Sequence, residues 1–115
     1  MTRSPQQAAS DATQYLIDTA HTLGAAKAEL VKREAMLRVV KSHMMKASGE
    51  RSVSAQEREA YAPPEYKAAL EKMSEAAGEY EKLRAGRDAA TAQIDYWRSL
   101  NANQRAAERG YGSAQ

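Results

Sequence analysis

Residues 66–101 read YKAALEKMSEAAGEYEKLRAGRDAATAQIDYWRSLN, with no proline in the run. Two rows of core-type residues recur every seventh position. One is Tyr66, Met73, Tyr80, Arg87 and Ile94; the other is Ala69, Ala76, Leu83, Ala90 and Trp97. Two interleaved rows of this kind draw one stripe along a helix that winds against a partner helix. The beat predicts a helix over 65–105.

The partner lies upstream in the same chain. Leu16, Leu23, Leu30, Leu37 and Met44 form one row, and Thr19, Ala26, Arg33, Val40 and Ala47 the other. Ser10 or Asp11 suits an N-cap, and Gly49 suits a left-handed cap after Ser48. The first helix is thus expected over 11–47. A connector, 48–64, separates the two. Within it Ser54-Ala-Gln-Glu57 has the form of a capping box, which predicts a short helix from Ala55 to Tyr61. Ala62-Pro63-Pro64 ends it, and Pro64 or Glu65 can open the next helix. Tyr61 and Tyr66 flank this corner and are expected to pack on it.

The expected fold is therefore all-α: a long antiparallel helical hairpin, or coiled coil, over 11–109, with a short helix in the connector. Residues 1–10 are expected to be a flexible lead-in and 110–115 a flexible tail. Pairing the two ladders to match large with small residues sets Leu16 against Trp97, Leu23 against Ala90, Leu30 against Leu83 and Leu37 against Ala76. Arg33 and Arg87 fall in the stripe. They would reach an acid at its edge, Arg87 to Glu29 or Asp88 and Arg33 to Glu79 or Glu81.

A second set of apolar residues lies off this seam: Ile17, Ala28, Val31, Ala35, Val39 and Met45 in the first helix, and Ala85, Ala89, Ala92 and Tyr96 in the second. A helix that is apolar on two faces usually buries both. Self-association into a helical bundle follows as the expectation, a dimer or a higher homo-oligomer, with Ile17, Val31, Val39, Ala85, Ala92 and Tyr96 as contacts. A groove for a different protein is the rival use. Gly24, Gly78 and Gly86 interrupt the helices; close approach of another chain would explain them, and so would simple tolerance.

The chain has 115 residues, no cysteine and a formal charge of +2. One domain fits that length. Thiolate chemistry is excluded and disulfides with it, in keeping with a reducing compartment. The N-terminal residues lack the apolar core of a signal peptide, and no apolar run reaches the ~20 residues of a membrane span. A soluble, cytoplasmic protein is expected, with no membrane partner. The catalytic motifs of metalloproteases, phosphate-cradling loops and serine hydrolases are missing. His21 and His43 stand far apart on one helix. The expectation is a non-enzyme with no catalytic residue, cofactor, metal or small-molecule substrate.

Charge is unevenly placed. Lys27–Arg51 holds seven Lys/Arg against three Glu, and Ser52–Leu83 holds seven Glu against four Lys/Arg. Folding back would lay the basic half-helix on the acidic one. The alternative is a phosphate-binding face made of Lys27, Arg38, Lys41, Lys46 and Arg51. Near the other end Tyr96, Arg98, Arg105, Arg109 and Tyr111 set aromatics beside cations, which suits stacking on single-stranded nucleic acid. Trp97 falls on the beat and is read as core.

Four segments add a resemblance. Ser54-Ala-Gln-Glu-Arg-Glu-Ala-Tyr61, Glu79-Tyr-Glu-Lys-Leu-Arg84 and Ile94-Asp-Tyr-Trp-Arg-Ser-Leu100, with Tyr66-Lys-Ala-Ala-Leu70, resemble small coiled-coil proteins of bacteriophages and prophages. Those proteins occur among DNA-recombination and replication genes. The resemblance covers about residues 52–105, and Trp97-Arg98-Ser99 is its most distinctive part. It implies an accessory protein that acts by binding single-stranded DNA or a protein that coats DNA. Two alternatives stand beside it: a phage-encoded inhibitor of a host nuclease or defence complex, working through the Glu57–Glu81 face or the second apolar stripe, and a structural coiled-coil spacer.

Overall fold

A computed structural model of the chain describes residues 3–114, with side chains through residue 110. Three helices follow one another: α1 (Pro5–Ala47), α2 (Val53–Ala60) and α3 (Pro64–Ala114). The described residues contain no strand. The two long helices pack as an antiparallel hairpin with α2 in the connector, a coiled-coil-like all-α fold.

The rows read from the sequence are the rows that turn inward. Leu16, Thr19, Leu23, Ala26, Leu30, Arg33, Leu37, Val40 and Met44 are half-buried on α1, while most of the positions between them are exposed. On α3 the half-buried or buried set is Tyr66, Ala69, Met73, Ala76, Tyr80, Leu83, Arg87, Ala90, Ile94 and Trp97.

Helix ends differ from the expectation. α1 begins six residues early because Ser4 is the cap: its Oγ accepts from the Gln7 amide at 3.1 Å. Pro5 then fills the first helical position, where a missing N–H costs nothing. Ser52, not Ser54, caps α2, with its Oγ accepting from the Ala55 amide at 3.2 Å. No glycine among the described residues has a positive φ, so the left-handed cap expected at Gly49 does not form. The Gln56 side-chain amide donates to the Glu50 carbonyl at 3.0 Å and ties that loop instead. α3 continues through the segment expected as a tail, since Ala102, Ala106 and Ala107 favour helix and no proline stops it. The Tyr111 side chain, residues 1–2 and Gln115 lie outside the described residues.

The chain divides into two units, Met1–His21 with Arg84–Gln115, and Thr22–Leu83. In the first, Arg87 fixes the register. Its Nη1 donates to the Leu16 carbonyl at 2.8 Å and to Thr19 Oγ1 at 2.6 Å. Thr19 in turn donates to the Tyr15 carbonyl at 2.7 Å. Counting along both helices from this contact sets Leu16 level with Ala90, Ala12 with Ile94 and Ala9 with Trp97. Ala9, Ala12 and Ala90 are buried, each at 7% exposure or less. Small residues sit opposite large ones, which lets the backbones approach closely. Gly86 leaves room for the Tyr15 hydroxyl: a Cβ there would meet Tyr15 Oη at 2.6 Å.

In the second unit Lys27 lies over the Tyr80 ring, 5.0 Å from its centroid. Ala26, Glu29 and Arg33 border one groove with Lys72, Glu75, Ala76 and Glu79. Met36 and Val40 border another with Glu65, Ala68 and Ala69. These contacts set Leu23 level with Leu83, Leu30 with Ala76 and Leu37 with Ala69. In both units the pairing is one heptad away from the pairing expected from the sequence, so Leu16–Trp97, Leu23–Ala90, Leu30–Leu83 and Leu37–Ala76 are not the layers.

The connector explains the shift. α2 docks on the end of α1, with Lys41 Nζ 3.3 Å from Glu57 and 5.3 Å from the centroid of the Tyr61 ring. Ala60 is wholly buried. Tyr61 meets Tyr66 edge to face with centroids 5.0 Å apart, the aromatic corner expected from the sequence. With α2 in place, α3 starts beside Val40 rather than beside Ala47.

Candidate functional site

The nine cations and aromatics expected to bind nucleic acid fall into two groups, one per unit. Lys27, Arg38, Lys41, Lys46 and Arg51 belong to the second unit; Tyr96, Arg98, Arg105 and Arg109 belong to the first.

In the second unit the basic stretch is only partly used internally. Arg33 takes neither Glu79 nor Glu81; its Nε pairs with Glu29 one turn earlier on its own helix, at 2.7 Å. Lys41 pairs with Glu57. The Tyr61 side chain, and then Glu57, hold the Lys41 ammonium above the usual lysine range. A raised lysine pKa means that the folded state favours the proton. The contribution is therefore complete at neutral pH and is lost as pH climbs through the folded value. Melting temperature across alkaline pH is expected to fall more steeply for the wild type than for Lys41→Met.

Lys32, Arg38, Lys46 and Arg51 are exposed, and the described residues supply none of them with a carboxylate partner. Ala35, Arg38, Val39, Ser42, His43 and Lys46 line one shallow groove on the outward side of α1. The helix builds it by spacing alone, since positions three, four and seven apart share a face. Arg38 and Lys46 stand about 12 Å apart along the axis at ~1.5 Å per residue. The groove thus offers cations over a small apolar floor. Ser42 and His43 were not singled out as site residues in the sequence; their i+3/i+4 spacing from Val39 was the available signal.

The first unit gives a looser arrangement. Tyr96 is 61% exposed. Arg98 stands 3.8 Å from Asp95 one turn before it. Arg105 and Arg109 lie on exposed helix. Trp97 is half-buried on the seam, as its place in the heptad implied. Arg87 meets neither Glu29 nor Asp88, because the actual register puts the Leu16 carbonyl and Thr19 within its reach.

The expected self-association residues are all exposed. Ile17, Val31 and Val39 are 64%, 52% and 47% exposed, and Ala85, Ala92 and Tyr96 are exposed too. Among the described residues no large side chain is fully buried.

No group of three His, Asp or Glu among the described residues could share a metal ion. No helix in that range is long and apolar enough to cross a membrane. No family model, curated protein or solved structure matches the chain.

Proposed function

We propose that this chain is a non-enzymatic accessory protein that binds single-stranded DNA through the outward face of α1 and the connector that follows it, in the setting of phage or prophage DNA recombination or replication. One observation carries the binding mode: Lys32, Arg38, Lys46 and Arg51 stay exposed and free of carboxylates, while Lys41 in the same stretch is engaged by α2. Cations placed this way exchange condensed counterions for phosphate contacts, a gain independent of sequence. Val39 and the His43 ring supply surface on which a base can rest. The setting rests on the resemblance carried by residues 52–105.

A gel-shift series with single-stranded oligonucleotide tests this. Binding is expected at low salt, with log K falling against log salt with a slope near −3 for about four phosphate contacts. Arg38→Ala, Lys46→Ala and Arg51→Ala together should flatten that slope by about 2. Absence of a shift at low salt would remove direct DNA binding.

A further inference from the structure

We infer that a second copy of this chain docks on the outward face of α1, antiparallel, with the two-fold axis between Ala28 and Val31. Gly24, Ala28, Val31, Ala35, Val39 and Ser42 lie within one unit and are spaced three or four apart, so they form one continuous row. Each is exposed except Ala35, which is half-buried. The row faces away from the hairpin seam and nothing among the described residues covers it.

Charge selects the register. Lys27 and Glu34 flank the row on one side, one heptad apart, and both are exposed. Glu34 has no cation partner among the described residues. With the axis between Ala28 and Val31, Lys27 of each copy comes within reach of Glu34 of the other, and its ammonium, which lies over the Tyr80 ring in the single chain, turns outward to meet it. A slip of one heptad in either direction sets Lys27 on Lys27 or Glu34 on Glu34, and flanking charges of this kind decide antiparallel pairing. In the favoured register Val31 lies on Ala28 and Ala35 on Gly24, so larger groups again meet smaller ones. Gly24 has nothing within 4 Å of a Cβ built on it, and the second helix fills that space. The docked copy covers Val39 and Ser42 of the cation-lined groove, so docking and DNA binding exclude one another on this face, and sedimentation without DNA reads the docking alone.

Sedimentation equilibrium on the full chain tests the inference, with circular dichroism to show that each variant is helical. The wild type is expected to be a dimer at micromolar concentration. Glu34→Lys should weaken it at least tenfold, and Lys27→Glu with Glu34→Lys should return it to within about threefold of wild type. Ala28→Asp should leave a folded monomer. A monomeric wild type, a dimer indifferent to Ala28→Asp, or failure of the double charge exchange to restore association would each overturn it.

Discussion

Ala90→Glu is expected to destabilise the chain more than any other single exchange at the seam. Ala90 is 7% exposed and lies level with Leu16. A carboxylate there loses its water and gains no cation, since the nearby Arg87 is committed to the Leu16 carbonyl and Thr19. An uncompensated buried charge costs about 3–5 kcal/mol, against total stabilities of about 5–15 kcal/mol for small domains. Ala89→Glu, one residue earlier and exposed, is the control and should stay within about 0.5 kcal/mol of wild type. Denaturant unfolding of the two variants separates them. Equal stabilities would mean that Ala90 does not face α1.

Ala60→Leu is expected to dislodge α2. Ala60 has no exposed surface, and extra carbons in a filled site cost about 1–3 kcal/mol. Eight residues are too few to hold a helix unaided, so α2 depends on docking through Ala60 and the Lys41–Glu57 pair. Hydrogen exchange should show loss of protection across residues 53–60, with the central turns of α1 and α3 still protected. Ala62→Leu, at an exposed corner position, should leave that protection intact. Full protection in Ala60→Leu would show that α2 has slack where the structure has none.

The seam was legible in the sequence because a heptad states which residues turn inward, whatever they turn toward. The pairing was not, because a heptad repeats itself. Leu30 meets a plausible neighbour in Leu83 or in Ala76, and only the space taken by α2 decides between them. Ser4-Pro5 was readable as a cap followed by a first helical residue, yet Ser10 and Asp11 offered the same chemistry closer to the leucine ladder. The fate of the basic residues was half legible. Their clustering is plain in the chain, but Lys41 is consumed by Glu57 sixteen positions on, a contact that exists only once α2 has folded back. The partners of Arg33 and Arg87 followed the register and shifted with it. The exposure of Val31 and Val39 was implied by their offset from the seam, whereas the pairing of Lys27 with Glu34 emerges only when the outward face of α1 is treated as self-complementary.

The chain has no native cysteine, so paired cysteines give an unambiguous reading of which residues face one another within one molecule. The account predicts that Leu30→Cys with Ala76→Cys closes an intramolecular disulfide under mild oxidation, and that Leu30→Cys with Leu83→Cys does not. Closure of the second pair and not the first would contradict the hairpin register on which the layers, the α2 dock and the exposed cations all depend.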